Sequence, residues 1–141
     1  MLAKYHLYDK LILVMKYQVI VATDIVDRPK DHEMRAALIM ANLYFKANVT
    51  FLRQEAHKTP DLNVAGSRWE LKSPLGNGKK TIDNNMRTAK KQSQNIILDF
   101  SRMKLHQVRA LSRLNHYLSA GNHGFRRVAV ITKDGKVLEI L

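Results

Sequence analysis

Two acids and a lysine stand at a spacing that suits chemistry on a phosphate ester. Asp61 follows Pro60, and Glu70-Leu71-Lys72 comes shortly after Ala65-Gly66-Ser67. Side chains on a strand alternate between faces, so Glu70 and Lys72 share one face while Leu71 turns to the core. A tight hairpin at Ala65-Gly66-Ser67 lays Asp61 alongside them. Two carboxylates at one place repel each other unless a cation sits between them. Oxygen-only ligands suit Mg2+ or Mn2+, with waters in the remaining positions. Such a metal acidifies a bound water and neutralises charge building on a phosphate. Lys72 can then orient or deprotonate the water, or stabilise the transition state. Glu-x-Lys on a strand is common and by itself marks a solvated ion pair. The acid after Pro60, in the same hairpin and downstream of an apolar helix, gives it weight.

The elements that must position these residues follow from periodicity. Residues 1–26 are rich in Leu, Ile, Val and Tyr and read either as two strands or as a helix and a strand. Arg28-Pro29-Lys30 breaks the pattern, and a helix from about His32 to Lys46 follows Asp31. Its stripe of Met34, Ala37, Leu38, Ala41 and Phe45 is wide enough to pack on a sheet. Strands are predicted at Val49–Leu52, Leu62–Val64, Arg68–Leu71 and Ile96–Leu98, the last of the fully buried kind. Helices are predicted over about Thr81–Ser93 and across Leu105 to Leu118, ending at Gly121. A hairpin around Asp134-Gly135 joins Val128–Thr132 to Val137–Leu141. The succession is mixed α/β with a central mixed sheet. Residues 1–30 read as an N-terminal extension and residues 31–141 as one domain.

Composition narrows the class of partner. Lys and Arg number 24 against 12 Asp and Glu in 141 residues, a formal net charge of +12. A small domain this basic commonly holds a polyanion, because each phosphate contact releases counterions. There is no cysteine, which excludes disulfides, thiol nucleophiles and cysteine zinc sites and fits a cytoplasmic place of work. The apolar stretch Leu11–Met15 is too short to span a bilayer. Lys16 and Gln18 interrupt it, so the N-terminus reads as part of the mature protein.

The segment from Glu33 to Asp99 resembles the PD-(D/E)xK, or restriction-endonuclease-like, nucleases. Within them it is similar to the C-terminal tRNase domains of contact-dependent growth-inhibition toxins of the CdiA type. The likeness rests on His32-Glu33 with Ala36-Ala37-Leu38, on Pro60-Asp61, and on Trp69-Glu70-Leu71-Lys72-Ser73-Pro74. It continues through Ala89-Lys90-Lys91-Gln92-Ser93 and Asn95-Ile96-Ile97-Leu98-Asp99. The resemblance implies a restriction-endonuclease-like αβββαβ core, flanked by helices and followed by the C-terminal hairpin. It implies that Asp61 and Glu70 ligate the metal, with the Leu71 carbonyl as a further candidate. Glu33 would support the metal through water, Lys72 would be the catalytic lysine, and Gln92 would contact substrate or support the site. The toxin relatives cut tRNA.

The expected activity is therefore Mg2+-dependent endonucleolytic cleavage, with tRNA or other structured RNA as the leading substrate. The place of action would be the cytoplasm of the producing cell or of a target bacterium. Lys79, Lys80, Arg87, Lys90 and Lys91 are the expected phosphate contacts. An immunity partner would be acidic by complementarity, and this basic chain reads as the nuclease side. The alternatives are a DNA endonuclease of the same fold and a non-catalytic basic nucleic-acid-binding module, although the latter has no need of Asp61 and Glu70. Structural readings stand beside the chemical ones. Glu33 can favour a helix N-terminus, Asp61 can be a turn residue, Gln92 can be an exposed helix end, and Trp69 reads as core. His32, His57, His106, His116 and His123 show no metal-ligand spacing.

Overall fold

A computed structural model describes residues 15–22, 28–53 and 61–141. Pro60, His57 and most of the Leu11–Met15 stretch lie outside those residues. The elements are β1 (Val19–Val21), α1 (Asp31–Met40), a π-helical turn continuing it (Ala41–Phe45), β2 (Val49–Phe51), β3 (Leu62–Val64) and β4 (Ser67–Lys72). Then come α2 (Lys80–Ala89), β5 (Asn95–Asp99), α3 (Gln107–Ser119), β6 (Arg127–Ile131) and β7 (Val137–Glu139). The strands form one seven-stranded sheet whose spatial order is the chain order. β1 pairs with β2, β4 with β5 and β5 with β6 in parallel. The β2–β3, β3–β4 and β6–β7 pairs are antiparallel. The αβββαβ order expected from the sequence is the run from α1 through β5, and the C-terminal hairpin is β6–β7.

Alternation along the strands divides the core in two. On one face α1 packs Ala36, Ala37, Ile39 and Met40 against Val49, Phe51, Leu62, Trp69, Leu71 and Ile97. On the other, α2 and α3 bring Ile82, Met86 and Leu114 onto Ile96, Leu98, Val128 and Val130. The central strands β5 and β6 are covered on both faces, which is why their sequences are nearly continuous apolar runs. β4 departs from this. Trp69 and Leu71 enter the α1 core, while Glu70 and Lys72 are set on the opposite face. Trp69 is fully buried, with Phe45 edge-on at 5.0 Å and the Arg127 guanidinium 4.7 Å from its ring centre. Truncating it to alanine would cost about 3–5 kcal/mol.

The β3–β4 turn fixes which face receives the acids. Ala65 (φ 48°) and Gly66 (φ 86°) are both left-handed, as a two-residue hairpin turn requires. An alanine accepts that conformation at a cost of roughly 1–2 kcal/mol. The turn pairs Val64 with Ser67 and Leu62 with Trp69, so the same register carries Asp61 opposite Glu70. A slip of one residue would turn Glu70 and Lys72 into the α1 core.

Part of the extension expected over residues 1–30 enters the sheet as the edge strand β1. Asn42 anchors the chain just before it. Its Oδ1 accepts from the N–H groups of Lys16 and Tyr17 at 3.0 and 2.9 Å, and its Nδ2 donates to the carbonyls of Tyr17 and Leu38 at 2.9 and 3.0 Å.

Candidate active site

Asp61 is held from both neighbouring strands. Its carbonyl accepts from Leu52 N–H at 2.8 Å on the β2 side. On the β4 side, Asp61 Oδ2 accepts from Leu71 N–H at 3.0 Å, and Asp61 N–H donates to Glu70 Oε1 at 3.3 Å. Glu70 is 1% exposed, and its Oε2 lies 3.2 Å from Lys72 Nζ. The hairpin therefore gathers the two carboxyls and the ammonium on one face, at the end of β4. Leu71 lies between them in the chain with its side chain in the opposite core.

Electrostatics mark this group as short of positive charge. Burial, then the hydrogen bond to Asp61 and its charge, push the Glu70 carboxyl up to about 8, against the pull of Lys72. Burial also raises Asp61; the charge of Glu33 adds to this, while the bonds from Glu70 and Leu71 N–H and the charge of Lys72 oppose it. Near neutral pH the pair holds a proton that a cation would displace. Asp61, Glu70 and the Leu71 carbonyl offer an all-oxygen donor set that fits Mg2+ or Mn2+, ions that take one or two carboxylates and keep several waters.

The remaining expected residues lie around this centre at different ranges. Glu33 sits in the first turn of α1, where its Oε1 accepts from Lys30 N–H at 2.9 Å and caps the helix. It is near enough to Asp61 for its charge to be felt. Among the described residues, however, no group of three His, Asp or Glu side chains gathers tightly enough to hold a metal ion. Glu33 is a neighbour of the pair whose charge reaches Asp61. Lys79 and Lys80 are exposed at the start of α2, and Arg87, Lys90 and Lys91 are exposed towards and beyond its end. Gln92 lies in the turn after α2, its N–H on the Ala89 carbonyl at 2.9 Å. The adjacent Ser93 Oγ donates to the Arg68 carbonyl at 3.0 Å. Arg68 is four residues before Lys72, or about 13 Å along β4, so the turn that carries Gln92 meets the Arg68 end of that strand.

Asp99 ends β5 and is fully buried. Its Oδ1 accepts from Ser101 N–H at 3.0 Å, while Oδ2 has no hydrogen-bond partner among the described residues. It acts electrostatically on His32, whose Nε2 lies 2.8 Å from an Arg102 nitrogen. The only sequence signal was its place at the carboxyl end of a buried strand, where α/β sheets often carry function.

The model of the family described as the contact-dependent growth inhibition CdiA C-terminal domain matches residues 58–137, a span holding Asp61, Glu70, Lys72 and the lysines of α2. Among solved structures, the chain is similar to the CdiA-CT/CdiI toxin and immunity complex from Burkholderia pseudomallei. The identity is 19% and the TM-score 0.56, with 88% of this chain and 98% of that one covered. A likeness at that identity concerns the fold. No curated protein matches the chain. With the family model spanning more than half of its length, the chain belongs to the family of contact-dependent growth inhibition CdiA C-terminal domains.

Proposed function

We propose that this domain is a metal-dependent endonuclease of the PD-(D/E)xK type, acting as a toxin inside a target bacterial cell on tRNA or another structured RNA. The observation that carries the reading is the convergence of Asp61, the 1%-exposed Glu70 and Lys72, with Lys72 Nζ 3.2 Å from Glu70 Oε2, in a chain of net charge +12. A purely structural ion pair would not need a second buried acid beside it, and a binding surface for phosphate would be weakened by both.

Asp61 and Glu70 would hold Mg2+ or Mn2+, with the Leu71 carbonyl as a further donor. Bound there, the ion would supply an acidified water and charge neutralisation at the phosphate. The protein's own groups supply position and field. Leu71 N–H and Leu52 N–H fix Asp61, so the acids are set before substrate arrives. Lys72 stands where an ammonium orients the attacking water and steadies negative charge on the phosphate oxygens. Glu33, bound to the helix start and felt electrostatically at Asp61, would support the metal through water. Lys79 and Lys80 lie where the chain returns from Lys72 into α2, and they would draw in the phosphate backbone. Gln92 and the cations at the far end of α2 would contact substrate away from the scissile bond.

No described helix is long and apolar enough to cross a membrane. The fold neighbour is a toxin bound to its immunity protein, and an acidic immunity protein would complement this chain. The test is incubation with total tRNA and with plasmid DNA, in Mg2+ or in EDTA. Cleavage of tRNA that stops with EDTA and with Lys72→Ala is expected. Cleavage surviving EDTA would remove the metal mechanism, plasmid cutting with intact tRNA would make the substrate DNA, and binding with no cleavage would leave a binding module.

A further inference from the structure

A cavity of about 300 Å³ opens between α2 and α3, away from the Asp61–Glu70–Lys72 centre. Its lining includes Asp83, Lys90, Arg113, His116, Tyr117 and His123. Asp83 is the acid among these six, and it is already engaged. Arg113 Nε and a terminal nitrogen reach its two oxygens at 3.0 and 2.5 Å. That bidentate contact neutralises the acid and holds the guanidinium plane in one orientation. Lys90 and the His116 imidazole make no side-chain hydrogen bond or ion pair among the described residues, and both are exposed. His123 Nδ1 accepts from Phe125 N–H at 3.0 Å, so in the neutral ring Nε2 carries the hydrogen and donates outward. The same ring stacks on Phe125, 6.0 Å between centres and 21° between planes, which fixes it. Tyr117 packs on the core beneath. The wall near Gly121 and Asn122 is a left-handed turn that closes α3 (φ 76° and 50°).

We propose that this cavity is a nucleotide subsite, taking one phosphate and one unstacked base of the substrate strand beyond the bond that is cut. The cavity has room for about one nucleotide unit and not for a helix or strand of a partner. Its uncommitted groups are an ammonium and imidazole N–H donors, the donors a phosphate needs. Tyr117 and the fixed Arg113 plane supply flat surfaces on which a splayed base stacks, the mode by which single-stranded RNA is read. An acidic protein would meet the same charge, but carboxylates on a convex surface need neither the concavity nor the rings. The inference rests on the nuclease reading for its biological sense, though not for its test.

The test uses the full chain with Lys72→Ala, which silences cleavage, and follows backbone and imidazole resonances by NMR. The probes are the four nucleoside 5′-monophosphates and inorganic phosphate. Saturable shifts centred on His116, Tyr117 and His123 are expected, with nucleotides binding more tightly than phosphate. Tyr117→Leu should weaken nucleotide binding by about tenfold and leave phosphate binding unchanged. His116→Ala, at an exposed position, should weaken both without disturbing the fold. Equal binding of phosphate and nucleotides, insensitive to Tyr117→Leu, would overturn the proposal, as would shifts confined to other surfaces. tRNA cleavage by the parent chain with no nucleotide shifts at the cavity would sink this inference alone. Cavity binding with no cleavage of any nucleic acid would sink the nuclease reading alone.

Discussion

Two hairpins of this sheet carry an acid and a lysine at the same spacing, and they behave oppositely. In Glu70-Leu71-Lys72 the pair is 3.2 Å apart, with side chains 1% and 22% exposed. In Asp134-Gly135-Lys136 it is 3.7 Å apart, with side chains 63% and 78% exposed. Glu70 is driven up to about 8 by burial and by Asp61. Asp134 is drawn down, first by the hydroxyl of Thr132, which donates to it, with help from Lys136. The second hairpin spends its acid on closing a turn around Gly135. The first holds its acid on a strand, beside another acid and under partial cover. Acid-x-lysine spacing is therefore not the device; placement on a buried strand opposite a second carboxylate is.

The largest effects should separate the two hairpins. Lys72→Ala and Glu70→Ala should each reduce nucleic-acid cleavage by roughly 100-fold or more. Asp134→Asn and Lys136→Ala should leave it within about twofold. Initial rates on tRNA decide this, and equal losses from both hairpins would end the comparison.

A middle-sized effect concerns pH. Because Glu70 is raised in the folded chain, its contribution to stability is fully present below its ordinary value of about 4.5. It is lost as pH rises through about 8. In EDTA, Glu70→Gln should thus gain stability over the parent at pH 8, on the order of 1–3 kcal/mol, and little at pH 5. Urea unfolding at both values measures the difference. Adding Mg2+ should raise the melting temperature of the parent more at pH 8 than at pH 6, since binding requires the proton to leave. An Asp134→Asn chain should follow the parent in both experiments. A Glu70→Gln chain with the parent's pH slope would mean the buried acid is not the group that titrates.

The smallest effect is at Glu33. Its bond to Lys30 N–H predicts a loss of about 1 kcal/mol on Glu33→Ala and less than a tenfold loss of cleavage. A loss matching that of Glu70→Ala would make Glu33 a direct ligand and not one acting through water.

Much of this architecture was legible before any coordinates. The apolar stripe of α1, the buried run Ile96-Ile97-Leu98 and the hairpin at Ala65-Gly66 each carry a period or a turn chemistry that admits one reading. The triad was legible because strand alternation and hairpin register are geometric rules. The π-helical turn at Ala41–Phe45 was not, since its hydrogen bonds leave no compositional trace, and the first helix was expected to run unbroken to Lys46. That the turn carrying Gln92 meets the Arg68 end of β4 was hidden, because it depends on the direction of α2 relative to β4. The cavity was hidden for a related reason: Lys90, Arg113, His116 and His123 are brought together by the packing of two helices, and no local spacing encodes it. The proximity of Asp99 to His32 likewise arises only where the end of β5 meets the start of α1.

Asn42 has a consequence for where the domain can be severed. One amide grips the backbone of Lys16 and Tyr17 and ties it to the carbonyl of Leu38. A cut ahead of residue 15 leaves every described strand and this clasp whole. A cut past Val21 removes an entire parallel neighbour from β2 and bares the backbone edge of the hairpin sheet that carries the acids. The toxin unit therefore needs the chain from Lys16 onward, upstream of the point where its first helix begins.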